Sequence, residues 1–222
     1  MLLGAGGIGM VLETEGAAAR RHCEAVGIRA SLPPPANSAA NGSGSGTMKA
    51  RLLETQISNS AYHGASMDKH HIALELERFL GAIQRNWGIS RDAIAEDGVY
   101  FSHETCTHAT PTASCAFNEV SALRQCFGEE LLSRLVIINT KGFTGHPMGV
   151  SFEDVAAVEA LHRGVIPPTA NSPSVDPALG KLRLSTGGAY PAKYAMRFAA
   201  GFGSQVAFAL YASVDAVPSP VA

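Results

Sequence analysis

Apolar positions from Asp68 onward fall at helical spacing. Ile72, Leu76, Phe79, Leu80, Ile83 and Trp87 form a single stripe, and Gly88 ends it. The run VYFS (99–102) reads as a short strand leading into HETCTHATPTASC (103–115). Val120, Leu123 and Phe127 space a second helix, with Asn118 as its expected N-cap and Gly128 just past its end. LLSRLVIINT closes in a buried strand from Leu135 to Asn139, and KGFTGHPMG follows as a glycine-punctuated loop. Ser151 opens another helix, with Asp154 three residues on in a capping pair, and Pro167 and Pro168 prevent its continuation. Two strand-like runs, YAMRFAAGF and QVAFALYASV, are joined through Gly203 and Ser204. Alternating strands and helices with a terminal hairpin predict a layered α/β domain with a mixed sheet.

The ends of this pattern differ from its middle. GIGMVLETE near the N-terminus reads as a buried strand, with Ile8, Met10 and Leu12 on one face. SLPPPANSAANGSGSGTM (31–48) has no apolar periodicity and reads as a linker or disordered insertion. The expected organisation is a remnant segment at 1–30, a linker at 31–50, a globular domain at 51–217 and a tail at 218–222.

Composition narrows the function. Of 222 residues, 46% are hydrophobic and 16% charged, so a large core can be buried. A net charge of −2, from 17 basic and 19 acidic side chains, argues against nucleic-acid binding. No apolar run is long enough for a membrane span, and the N-terminus lacks the basic start of a signal peptide. The expected setting is cytoplasmic. Cys23, Cys106, Cys115 and Cys126 contain no C-x-x-C pair and read as reduced thiols.

The chemistry-bearing residues cluster after the strands. HETC places His103, Glu104 and Cys106 together, but no second ligand pair stands at zinc spacing. TASCA superficially resembles a nucleophile elbow, yet Cys115 lacks the preceding buried strand and the glycine that an elbow needs, so it reads as a packing thiol. The stronger candidate is a constellation. His103 follows one strand, Lys141 and His146 follow another, and Gly201, Phe202 and Gly203 form a third strand end. Ligands of open α/β sheets gather outside such carboxyl ends. Two imidazoles and a backbone N–H in a glycine turn suit the stabilisation of an enolate or oxyanion.

These residues carry a family resemblance. HETCT (103–107) resembles the H-G-T-x-T motif of β-ketoacyl synthases, and NTKGFTGHPMG (139–149) their K-x-x-x-G-H motif. GVIPPT (164–169) resembles the segment that follows, and AAGFGSQ (199–205) the G-F-G-G turn. GAGGIGMVLE resembles the strand closing the N-terminal half of that family, so the match is to the C-terminal half of a thiolase-like layered fold. The wording is nearest to polyketide and polyunsaturated-fatty-acid synthase domains.

The resemblance implies that His103 and His146 stabilise the enolate or oxyanion. It implies that Lys141 organises His146, that Glu153 supports the same network, and that the Phe202 amide is half of an oxyanion hole. It also implies decarboxylative condensation of acyl and malonyl thioesters, with acyl carrier protein as partner and no metal or nucleotide cofactor. The T-A-C-S-S elbow with its nucleophilic cysteine is missing, so the chain is expected to be a fragment needing an N-terminal ketosynthase half or partner subunit. The alternative is a non-catalytic, chain-length-factor-like or scaffolding subunit. Departures stand beside the match: Glu104 replaces a glycine, Ala200 stands where many members have phenylalanine, and the Asn118–Glu119 pair takes over an anchoring role.

Overall fold

The computed structural model describes residues 10–14, 16–17, 48–62, 67–105, 114–145, 152–170, 174–201 and 203–216. Its frame is a six-stranded mixed sheet of β1 (Arg51–Asn59), β2 (Gly98–Phe101), β3 (Val136–Ile138), β5 (Arg183–Leu184), β7 (Tyr194–Gly201) and β8 (Gln205–Ala212), ordered β1-β8-β7-β2-β3-β5. The strand pairs β7–β2, β2–β3 and β3–β5 are parallel, whereas β8 runs antiparallel to both β1 and β7. A small two-stranded sheet pairs β4 (Val165–Pro168) with β6 (Thr186–Ala189).

One face of the large sheet is covered by α1 (Lys69–Trp87), α2 (Arg91–Asp97) and α3 (Cys115–Arg134). Asp68 caps α1 by accepting the His70 N–H, and Gly88 closes it in the left-handed conformation. The predicted stripe Ile72, Leu76, Phe79, Leu80 and Ile83 is buried. Phe79 stacks on Phe208, which stacks on Phe198, so an aromatic ladder ties α1 to the hairpin strands. Each such contact adds about 1 kcal/mol beyond burial. On the opposite face α5 (Phe152–Arg163) packs Ala157, Ala160 and Leu161 against Val99, Phe101, Val136, Ile138 and Ala195. Between β3 and α5 a single helical turn, α4 (Lys141–Thr144), follows the end of β3.

Several expectations need correction. Residues 10–14 form no strand, and Val11 and Leu12 are exposed. A strand takes its hydrogen bonds from a neighbour, and no described strand runs beside this segment. The second helix begins earlier than expected. Ser114, whose hydroxyl accepts the Phe117 N–H, is its N-cap, while Asn118 lies one turn inside with its amide on the Ser114 carbonyl. Gly128 (φ 74°) breaks the helix, as only glycine does cheaply, but the helix resumes to Arg134. The loop expected at KGFTG contains the turn α4 before Gly145.

Asp154 faces inward, where the Tyr211 hydroxyl donates to it at 3.1 Å; its expected capping partner Ser151 lies outside the described residues. β1 and α2 carry little apolar periodicity and were not anticipated. The 31–50 linker is described only from Met48, and Lys49 pairs with Glu159 on α5. Among the described residues no helix is long and apolar enough to cross a membrane.

Candidate active site

Because β2, β3 and β7 run parallel, their carboxyl ends open on the same edge of the sheet. Ser102 and His103 follow β2, and Asn139, Thr140 and Lys141 follow β3. One backbone bond and one side-chain bond hold the two strand-end segments together. The Ser102 N–H donates to the Ile138 carbonyl at 2.9 Å, and the Asn139 amide donates to the Glu104 carbonyl at 2.9 Å. Asn139 Oδ1 accepts the Lys141 N–H at 2.9 Å, which fixes the start of α4. The Glu104 carboxylate accepts the Ala116 N–H in the first turn of α3. The side chain replacing a glycine thus satisfies an otherwise unpaired helix N–H and places a negative charge at the favourable end of the helix dipole.

His103 is anchored from two sides. Its N–H donates to the buried Glu119 carboxylate at 2.9 Å, and its ring meets Phe198 edge-on with centroids 5.9 Å apart. Glu119 also accepts the Tyr100 hydroxyl at 2.7 Å and the Ser102 hydroxyl at 2.9 Å. Burial raises the Glu119 pKa above the usual glutamate value, while these donors pull it back. The anchoring role expected of the Asn118–Glu119 pair falls here to Glu119.

Lys141 is itself buried. Its ammonium donates to the His103 carbonyl at 2.6 Å and lies 3.4 Å from His103 Nδ1. An ammonium only donates, so Nδ1 faces it as an acceptor and the imidazole proton belongs on Nε2. A neutral ring in that tautomer presents an N–H on its far side, the donor that an oxyanion needs. Burial lowers the Lys141 pKa from the usual lysine value, Glu153 opposes that shift, and Arg197 adds to it. Glu153, at the start of α5, lies 3.8 Å from the Lys141 ammonium and 3.0 Å from Arg197 Nη2. Arg197 Nε lies 3.9 Å from Asp154.

The structure thus brings His103, Lys141 and Glu153 together, while His146 and Phe202 lie outside the described residues. The buried residues Arg197 and Tyr211, and the inward role of Asp154, were not foreseen. The one signal for Arg197 is a charge inside the apolar run YAMRFAAGF. A cavity of about 380 Å³ adjoins the cluster. Lys141, Ser102, Thr105 and Asn139 line part of its wall, and Leu123, Leu179 and Leu184 line another.

Cys115 is the first residue of α3. Its sulfur lies 3.5 Å from the Thr105 hydroxyl, and burial raises its pKa. Cys106 lies outside the described residues. Among the described residues no group of histidine, cysteine and acidic side chains is arranged to hold a metal.

Residues 104–172 match the family described as the beta-ketoacyl synthase C-terminal domain. The mitochondrial 3-oxoacyl-[acyl-carrier-protein] synthase of Arabidopsis thaliana is 30% identical over 158 residues, which are 68% of this chain and 34% of that protein. Nodulation protein E of Rhizobium meliloti is 31% identical over 125 residues, 55% of this chain and 30% of its own length. The chain therefore spans about a third of the length of these curated relatives.

Among solved structures, a beta-ketoacyl synthase from Burkholderia phymatum superposes with a TM-score of 0.64 at 21% identity, over 87% of this chain and 40% of that one. A type II polyketide synthase acyl-carrier protein in complex with its ketosynthase gives 0.63 at 23% identity, over 77% and 40%. These likenesses show the fold: the layered, thiolase-like α/β arrangement with a mixed sheet and terminal hairpin. In sequence over residues 104–172 and in fold over most of its length, this chain is a relative of the β-ketoacyl synthases and corresponds to their C-terminal half.

Proposed function

We propose that the chain supplies the C-terminal half of an acyl-condensing site of the 3-oxoacyl-[acyl-carrier-protein] synthase type, with residues 51–217 as its working domain. The reaction is the decarboxylative condensation of an acyl thioester with a malonyl thioester in fatty acid or polyketide synthesis. The observation that carries this reading is the Lys141 ammonium 3.4 Å from His103 Nδ1, which aligns the ring to offer Nε2–H. Loss of carbon dioxide from a malonyl thioester leaves an enolate whose oxygen needs such donors, and one donor lowers the barrier by about 3 kcal/mol. His103 and His146 are the proposed donors. Lys141 and Glu153 fix the electrostatics, and the Phe202 amide is the proposed oxyanion partner in the acyl-transfer step.

The proposed partners are acyl carrier protein bearing acyl and malonyl groups, and an N-terminal ketosynthase half that brings the nucleophilic thiol. The proposed compartment is the cytoplasm, in keeping with the free thiols of Cys115 and Cys126.

Carbon dioxide release from malonyl-carrier protein tests this directly, with the full chain alone and with an added N-terminal half. The expected result is release that falls at least about a hundredfold in His103→Ala and in His146→Ala. No release under either condition would sink the catalytic reading and favour the chain-length-factor-like scaffold.

A further inference from the structure

We infer that Arg197 is a positioning residue: by occupying the Glu153 carboxylate it leaves the Lys141 ammonium to His103. Arg197 lies on β7 in register with Phe101, on the face covered by α5. Its neighbours on that face, including Val99, Phe101 and Ala195, are apolar, so packing alone is served by an apolar side chain. A buried guanidinium instead carries a desolvation cost of several kcal/mol. Among the described residues its Nε and Nη1 make no hydrogen bond, and its polar contacts are Glu153 at 3.0 Å and Asp154 at 3.9 Å. A charge so thinly hydrogen-bonded is held by the two carboxylates, and two cations then balance two anions in one buried cluster.

The distances show how the cluster divides. Arg197 is within hydrogen-bond distance of Glu153, whereas Lys141, at 3.8 Å from the other oxygen, is not. Glu153 Oε1 accepts no hydrogen bond among the described residues. Lys141 spends its donors on His103, at the carbonyl and at Nδ1. Without the arginine, Glu153 would keep one buried cation within reach, Lys141. Closing that gap draws the ammonium off the imidazole and releases the tautomer it fixes. The catalytic consequence rests on reading His103 as an oxyanion donor, but the arrangement can be tested without any catalysis.

Nitrogen NMR of the full chain labelled with ¹⁵N-histidine reads the imidazole directly, with His103→Ala assigning the signal. The wild-type chain is expected to show His103 in the neutral Nε2–H form. In Arg197→Met the two His103 nitrogens should move towards a mixed-tautomer position. In the double variant Arg197→Met/Glu153→Gln they should return, because the carboxylate 3.8 Å from Lys141 is then gone. A folded Arg197→Met with unchanged His103 nitrogens overturns the inference. If Arg197→Met does not fold, the double variant decides. Wild-type His103 shifts in it support the inference. Altered shifts, or failure of the double variant to fold, overturn it.

Discussion

Glu119 holds the backbone N–H of His103 at 2.9 Å while its two oxygens also serve the hydroxyls of Tyr100 and Ser102. One buried carboxylate thus anchors the loop that follows β2. Glu119→Ala leaves three donors without an acceptor. Each buried unpaired donor costs about 1–3 kcal/mol, so urea unfolding should show a loss of about 3 kcal/mol or more.

The same residue gives a pH dependence. Burial raises the Glu119 pKa in the folded state, so the folded chain binds that proton more tightly than the unfolded one. Its contribution to stability is greatest below the ordinary glutamate value and declines as pH rises towards the raised folded value. Unfolding free energies measured across the acid range should show this decline in the wild type, and Glu119→Gln should flatten it. An unchanged slope in the variant would remove Glu119 as its source.

The unequal distances around Glu153 predict unequal mutants. Glu153→Gln leaves Lys141 and Arg197 facing only Asp154, the situation of an uncompensated buried charge, and should cost about 3–5 kcal/mol. Lys141→Met keeps the Arg197–Glu153 pair and loses the charge-assisted bond to the His103 carbonyl, so it should cost less, about 1.5–3 kcal/mol. Denaturant midpoints of the two variants check the order. Equal losses would mean that the lysine, not the arginine, is the main partner of the carboxylate.

Gly142 sits in the α4 turn beside the segment after β4. A Cβ there would stand 2.8 Å from both the Cβ and the carbonyl oxygen of Ala170. Backbone on the opposing side cannot swing away, so Gly142→Ala should cost about 1–3 kcal/mol. It should also disturb the His103 imidazole signals through Lys141. Thermal unfolding together with the histidine NMR spectrum separates this outcome from a harmless substitution.

Thiol chemistry offers a further check. Burial raises the Cys115 thiol above its ordinary range and pushes Cys126 up to about 12. Neither is a ready thiolate at neutral pH. Mass-spectrometric labelling with an alkylating or acyl probe should find both slow. Rapid modification of Cys115, abolished in Cys115→Ser, would contradict its reading as a packing thiol.

The α1 stripe, the buried runs of β2 and β3, the terminal hairpin and the motif order were legible because each is written in neighbouring residues. Side-chain period and a closing Gly88 are local signals, and their physics acts within one or two turns. His103 and Lys141 could be nominated from their places after those strands, and Glu153 from the family resemblance. β1 escaped because RLLETQISN lacks an apolar alternation. Its pairing is set by β8, about 150 residues later in the chain. Apolarity misled at residues 10–14, where no described strand supplies partners.

The chain's own order of residues therefore indicated most of the element types and nominated the loops after β2 and β3. Only the tertiary structure decided that Glu119 anchors His103, that Glu104 completes a helix terminus, and that Arg197 takes the carboxylate beside Lys141. Those choices follow from burial and from distances of a few ångströms between segments far apart in sequence. A charge has no fixed partner until the fold removes water and leaves it only the groups within reach.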